Sequence, residues 1–445
     1  MADLPLIDGF GSDALFAYRD GRPIRVGQFL HDVMRLADSL PERKYVLNLC
    51  SDRYGFAVGF AAAMLRHQTN LLPPNCTPDL IGRLRQGYES IYCLTDGAEL
   101  AGDLETVVWR NAAGEPGAEP HVPRIPEIQI VATVFTSGST GQPVAHEQTW
   151  GRLVRGAIAG IDRLGLHALR GMGVVGTVPP QHMFGLEATV LMVLQGGLRM
   201  HAGRPFFPED IRAQIEALPR PRGVVTTPVH LRILLEEPGA LPGLDFLLSS
   251  TAAMPPRLAA AAEARFGCPL QEIYGCTETG KIATRRPART QEWQLLPGVV
   301  LAEDERGTWV TGGHVGTETL LGDVIEPLGP TRFLLHGRTA DLINLAGKRT
   351  SLAALNYHLN SIDGVRDGAF VMPDECDGAV TRLMAFVVAP GLDAGTVLGE
   401  LRRRIDPAFL PRPLCFVDAL PRNQAGKLPR AELDELVARV AAAAG

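Results

Sequence analysis

Short apolar runs alternate with amphipathic stretches along most of this chain. Residues 128–135 read as a buried strand, mostly apolar and followed by glycines and hydroxyl residues. Residues 146–166 read as a helix with Leu153, Val154, Ala157, Ile158, Ile161 and Leu164 on one face. The alternation continues with strand 173–178, helix 186–194, strand 223–227, helix 229–236, strand 244–249 and helix 255–266. The last of these opens on proline and stops at Gly267, the residue types favoured at those two ends. Such alternation predicts βαβ units and mostly parallel sheets, whose ligands sit beyond the carboxyl ends of the strands. Ser137, Ser250 and Thr277 all follow strand patterns at that end, so three loops are expected to converge.

From about residue 293 the texture changes to short strand-like runs, such as 309–311 and 332–335. After Arg338 comes a compact α+β pattern: helix 352–359, strands 368–372, 383–388 and 414–417, helix 398–405, and an alanine-rich helix over 431–444. A chain of 445 residues is too long for one ordinary core. The expected fold class is α/β, with a large N-terminal domain over 1–337 and a small C-terminal α+β domain over 338–445.

Composition narrows the function only a little. Apolar residues at 46% and charged residues at 21% suit a globular protein rather than a disordered one. A formal net charge of −6 and the lack of a Lys/Arg tract argue against nucleic acid as the main partner. The seven cysteines are scattered without a CxxC pair, so reduced thiols in a cytoplasmic protein are expected. No secretory signal and no bilayer-length apolar stretch is evident, so no membrane span is expected.

The densest chemistry follows the 128–135 strand. Thr136, Ser137, Gly138, Ser139, Thr140 and Gly141 put four hydroxyls and two glycines into six residues. Glycines let backbone N–H groups crowd one spot and hydroxyls add donors, so this loop between a strand and a helix has a shape that wraps phosphate. A ligand-free turn is the alternative. A second strand closes on Tyr274, Gly275, Cys276, Thr277, Glu278, Thr279 and Gly280. A loop carboxylate flanked by hydroxyls can hold Mg2+, which prefers oxygen ligands and pairs with phosphates; a solvated turn is again the alternative. Asp323, with Arg338 fifteen positions on, can accept both hydroxyls of a ribose or merely turn the chain. Lys427, in a loop with Gly426, can carry a point charge into a site or sit in solvent. His182 and Phe184 follow a strand and can line a pocket. Gly171, Gly173 and Gly176 match dinucleotide-binding spacing but lead into a strand, which rules that reading out.

In this order, these five signals resemble the adenylate-forming superfamily of acyl- and aryl-CoA ligases, adenylation domains and luciferases, over roughly 128–430. The resemblance implies a large αβαβα domain and a small mobile C-terminal domain with the active site between them. It implies two steps. A carboxylate attacks the α-phosphate of ATP and releases pyrophosphate; the acyl-adenylate then passes to a thiol after the small domain rotates. ATP and Mg2+ are the implied cofactors. A small carboxylic acid and the pantetheine of coenzyme A or an acyl carrier protein are the implied partners. Carried over, the 136–141 loop would hold the triphosphate, and Ser250, Thr251, Ala252, Tyr274 and Gly275 would flank adenine. Thr277 would touch the α-phosphate, Glu278 would hold the metal, Asp323 would take the ribose, and Arg338 would lie at the ribose and hinge. Lys427 would contact the carboxylate and α-phosphate. His182 would sit at the acyl pocket, lined also by Phe184, Thr227, His230 and Cys276.

The sequence departs from that pattern in places. The phosphate loop usually ends in Lys, where Val144 stands here, with His146 close by. Ala340, beside Asp341, occupies a hinge position that is usually Asp or Lys, and Asn344 replaces a second lysine. Val144 with His146 and Trp150 resembles a shorter bacterial branch associated with aryl polyene pathways, which loads an acid onto a carrier protein. A neutral His182 and nearby aromatics suit an aryl or fatty acid better than an amino acid. Arg402, Arg403, Arg404, Arg412, Arg422 and Arg430 supply a basic rim that would suit an acidic carrier protein. Val144 and Ala340 also leave open a catalytically impaired homologue that binds ATP or an adenylate as a binding or regulatory protein, although Lys427 argues against it.

Overall fold

Polar residues ahead of apolar runs cap several of the helices, and Gly165 stops the amphipathic helix Trp150–Leu164. The computed structural model describes residues 2–11, 13–73, 77–97, 104–110, 121–137, 143–338, 342–345, 348–372, 383–423 and 426–444. Asp52 accepts from the Gly55 N–H at 2.7 Å to start helix Arg53–Leu65. Ser351 and Asp393 do the same for Leu352–Asn360 and Ala394–Arg402. Helix Trp150–Leu164 begins with Thr149 accepting from the Arg152 N–H and ends at Gly165 in the left-handed conformation. Each cap satisfies end groups that the helix itself leaves unpaired.

Three expectations shift. The helix expected from 146 starts at Trp150, because Pro143–Thr149 is a strand antiparallel to Ile130–Ser137. Gln148 is buried while Ala145 and Glu147 are exposed, so a two-residue period holds there and the helical period begins only afterwards. Leu153, Val154, Ala157 and Ile161 are buried on the inner face of that helix, whereas Ile158 is 42% exposed at its edge. The helix expected over 186–194 is a π-helical stretch, Leu186–Leu191, continued by Met192–Gly196. The one expected over 398–405 runs Ala394–Arg402, where the Asp393 cap sets its start.

Among the described residues, two large sheets dominate. In the six-stranded sheet the order is Pro143–Thr149, Ile130–Ser137, Thr69–Leu72, Tyr45–Asn48, Ile91–Thr95 and Thr106–Val108, parallel after the first pair. The eleven-stranded sheet has a parallel centre of Leu270–Cys276, Phe246–Ser249, Arg222–Thr226, Gly173–Gly176, Arg199–His201 and Leu15–Arg19. Antiparallel strands extend it, ending at Arg332–Arg338 and Asp323–Pro327. One hydrophobic cluster joins residues of both sheets and of helices Val26–Ser39, Arg53–Leu65 and Trp150–Leu164. Two other clusters draw only on residues 343–440, around the three-stranded sheet Asp367–Val371, Met384–Val388 and Leu414–Phe416. No helix among the described residues is long and apolar enough to cross a membrane.

The two sheets are pinned by a buried cation. Arg53, the first residue of its helix, has a fully buried guanidinium that donates to Thr189 Oγ1, to the Gly176 carbonyl at 2.8 Å and to the Val178 carbonyl at 3.0 Å. Burial pushes this guanidinium down to about 9, with the Arg204 charge adding to the effect. Arg53→Met would leave those acceptors dry and unpaired, and denaturant unfolding should show a loss of about 3 kcal/mol; a change below about 0.5 kcal/mol would mean that the site rehydrates freely.

Burial also pushes the imidazoles of His182, His201 and His314 each down to about 4. These folded values lie below the unfolded value near 6.5, so the unfolded chain takes up protons that the folded chain refuses. Stability should therefore be full above about pH 6.5 and fall towards pH 4, by up to about 1.4 kcal/mol per pH unit for each histidine. Denaturant unfolding from about pH 7.5 to 4.5 checks this. His201→Gln should flatten the slope, and an unchanged slope would exclude this imidazole as a source.

Candidate functional site

The carboxyl ends of neighbouring parallel strands carry the first group of candidate residues. Ser250 follows Phe246–Ser249, and Thr277 follows Leu270–Cys276. Ser250 Oγ donates to the Ile273 carbonyl at 3.0 Å, joining the two loops. Thr251 has φ of +79°, a left-handed conformation that costs a branched residue energy, and its hydroxyl is buried without a protein partner. The Ser249 hydroxyl is also buried and unpartnered. Ala252 continues this bend.

Tyr274 packs its ring 5.6 Å from Trp293 and 5.7 Å from Phe333, measured between centroids. This aims its hydroxyl at Asp323, to which it donates at 2.8 Å. Asp323 lies directly opposite Arg338 in the antiparallel pair Asp323–Pro327 and Arg332–Arg338, which explains their fifteen-residue spacing. The Arg338 side chain lies outside the described residues.

Gly275 makes the tight return after Tyr274 possible, since a Cβ there would lie 2.1 Å from the Gly280 carbonyl oxygen. The turn presents Thr277 and Glu278. Cys276 Sγ lies 3.2 Å from Thr279 Oγ1, and burial pushes its thiol up to about 11, so it is no ready nucleophile. The strand Pro143–Thr149 comes up against this turn. Gln148 Nε2 donates to the Thr277 carbonyl at 3.1 Å, Arg152 donates to the Glu278 carbonyl, and His146 Nε2 stands 3.5 Å from the Glu278 carboxylate. The hairpin that carries Thr136 and Ser137 therefore lies beside Glu278. Gly138, Ser139, Thr140 and Gly141 are outside the described residues, as are the side chains of Thr136 and Ser137 and the hinge positions Ala340 and Asp341. Val144 is opposite Thr136 and is 48% exposed.

A second group of candidates comes from the segment ahead of Leu186–Leu191 and from helix Pro228–Glu236. His182 starts the short turn that leads into Leu186–Leu191, with Phe184 half-buried beside it. Burial is the main cause that keeps its imidazole neutral, followed by the Lys427 and Arg204 charges. Thr227 caps helix Pro228–Glu236, with Oγ1 2.9 Å from His230 Nδ1, and Phe206 packs against His230 at 5.7 Å. Gly426, at φ +74°, brings its backbone so close that a Cβ would lie 3.2 Å from Thr227 Oγ1. Lys427 follows it directly, and its charge is one of those that lower the His182 imidazole.

Gln148, Arg152, Trp293 and Phe333 were not singled out from the sequence. Trp293 and Phe333 sit in strands that looked ordinary, and no spacing links them to Tyr274. The expected basic rim is largely neutralised: Arg403 and Arg404 pair with Glu400, Arg422 with Asp367 and Arg430 with Asp434. Each arginine lies within reach of an acid on the same helix or an adjoining strand, which charge counting alone does not reveal. Among the described residues, no group of three or more His, Cys, Asp or Glu could hold a metal ion.

Known proteins share both the sequence pattern and the fold. The family of AMP-binding enzymes matches residues 41–306. A 4-coumarate–CoA ligase of Rhodobacter capsulatus is 30% identical over 305 residues, covering 66% of this chain and 74% of that protein. A medium/long-chain-fatty-acid–[acyl-carrier-protein] ligase of Mycobacterium tuberculosis is 26% identical over 373 residues, covering 68% of this chain and 66% of its own. The o-succinylbenzoate CoA synthetase of Bacillus subtilis, solved with its acyl-adenylate intermediate, superposes with a TM-score of 0.80 at 18% identity, over 97% of this chain and 98% of that one. With the adenylate-forming architecture present and the family matching more than half of its length, this chain belongs to the AMP-binding enzymes.

Proposed function

We propose that this protein activates a carboxylic acid, aryl or fatty, with ATP and transfers the acyl group to the pantetheine thiol of a carrier protein or coenzyme A. The observation that carries this reading is the packing of the Gly426 backbone against Thr227, which brings the loop bearing Lys427 onto the segment of the candidate acid pocket. A cation there serves a reaction between two anions. The names of the relatives, which include CoA ligases and an acyl-carrier-protein ligase, support the same class.

The residues fit the nucleotide. The unpartnered hydroxyls of Ser249 and Thr251 suit a polar ligand, and so does the strained backbone at Thr251. Ser250, Ala252, Tyr274 and Gly275 would flank its base. Asp323, oriented by Tyr274, would accept both ribose hydroxyls, with Arg338 across the strand pair. Thr277 would donate to the α-phosphate, and the 136–141 loop would wrap the remaining phosphates. A bound magnesium ion supplies charge neutralisation at phosphate oxygens, and it needs few protein ligands because it keeps waters and draws on the phosphates. Glu278 would be its carboxylate. His146 stands beside Glu278, where it offers a second polar group near the position that Val144 leaves apolar.

In the first step the acid's carboxylate oxygen attacks the α-phosphorus, and the bond to the pyrophosphate oxygen breaks. Lys427 would lower the repulsion between the two anions most at the transition state, where they are closest. His182, held neutral, would wall the acid pocket with Phe184, Thr227, His230 and Cys276 without adding a competing charge. In the second step a thiol attacks the acyl carbon and AMP leaves. We assign residues 1–337 to the nucleotide and acid site and 338–445 to a lid that moves between the steps. Hydrophobic clusters drawn only from residue 343 onward support this division; the exposed ion pairs Arg257–Asp363 and Arg366–Glu236 link the two parts.

Lys427→Ala should lower adenylate formation about 100- to 1,000-fold while leaving transfer from a supplied acyl-adenylate within about twofold. Separate assays of the two half-reactions check this. An equal fall in both would reject the role given to Lys427.

A further inference from the structure

A lysine on a glycine-containing loop wanders unless something fixes the loop. Arg422 makes the contacts that do so. Its Nε donates to Asp367 Oδ2 at 2.6 Å and its NH2 donates to Oδ1 at 2.8 Å. Its remaining arm, NH1, donates to the carbonyl of Gly426, the residue before Lys427, at 3.1 Å. Asn423 closes the turn from inside. Its Oδ1 accepts from the Lys427 N–H at 3.0 Å, its N–H donates to the Lys427 carbonyl at 2.8 Å, and its carbonyl accepts from the Gly426 N–H at 2.8 Å. The Arg422 and Asp367 side chains are each only 19% exposed, so this forked pair is sheltered from the screening that weakens surface pairs.

Asp367 is a firm anchor. It opens the strand Asp367–Val371, which pairs along its length with Met384–Val388. Arg232, on helix Pro228–Glu236, feels the charges of the same two groups. Burial pushes its guanidinium down, while Asp367 opposes that shift and Arg422 adds to it. This is the helix whose Thr227 cap touches Gly426. Asp367 thus pairs with the cation on the lysine loop, and its charge also acts on the cation of the helix against which the loop packs.

We infer that Arg422 is the positioning residue for Lys427, tying the lysine's loop through Asp367 to a rigid strand and setting where the cation enters the cleft. The inference rests on the acid-activating reading above. Arg422 touches no substrate in this scheme and acts only through Lys427. Only a guanidinium can make the three contacts at once, since its donors form a fixed planar fork and an ammonium is a single point.

The test compares the wild type with Arg422→Ala, Arg422→Lys and Asp367→Asn. Each protein is assayed for acid-dependent ATP–pyrophosphate exchange, for the KM of ATP, for thiol transfer from supplied acyl-adenylate and for its thermal unfolding. Misplacing a reacting group by an ångström costs about 100-fold, so Arg422→Ala should lower the exchange kcat about 10- to 100-fold. The KM for ATP and the transfer rate should stay within about twofold. Arg422→Lys should recover part of the loss, and Asp367→Asn should reproduce it. If Arg422→Ala does not fold, the other two variants carry the same comparison. Unchanged exchange, or equal losses in both half-reactions, would overturn the inference. A wild type without acid-dependent exchange would overturn the reading beneath it instead.

Discussion

Two anions must meet before a bond can form between them, and in the chemistry proposed for this protein the cation that makes this possible is Lys427. Lys427 comes from far along the chain, and its loop packs on Thr227 and is braced by Arg422 and Asn423. The groups that face it are kept free of competing charge. His182 is kept neutral chiefly by burial, and the Lys427 and Arg204 charges add to the effect. Lys427 is exposed, and an exposed side chain on a flexible stem has many positions open to it, so holding its loop in place matters as much as having the lysine.

The opposite wall depends on sheet geometry. Parallel strands end at one edge, so Ser250 and Thr277 emerge side by side without any special device. What needed special residues was the return of the chain. Gly275 lets the strand pass close to Gly280, and Thr251 accepts a strained conformation. Strain of this sort persists where surrounding structure enforces it, and it accompanies binding sites more often than ordinary turns. Arg53 secures the wall from behind by tying the helix of one sheet to strand ends of the other.

Much of this was legible in the sequence. The parallel strands near residues 130, 173, 223, 246 and 270 and the loops bearing Glu278, Asp323 and Lys427 follow from apolar periodicity and a few polar signals, whereas the order of strands within each sheet does not. The Asp323-to-Arg338 spacing proved to be one antiparallel register. Other features were not legible, for physical reasons. The strand Pro143–Thr149 has too short an alternation to be told from the start of a helix, and only its pairing with Ile130–Ser137 decides the matter. Trp293 and Phe333 matter through ring contacts with Tyr274, which no local pattern encodes. Arg422 looked like a solvent-facing rim charge because its partner Asp367 lies 55 positions away.

The measurement that bears most directly on the central claim is carboxylate-dependent ATP–pyrophosphate exchange with benzoic, hydroxybenzoic, cinnamic and medium-chain fatty acids. The proposed chemistry predicts exchange with one of these acid classes and none without acid. Failure of every acid to support exchange, in a protein that binds ATP, would contradict it.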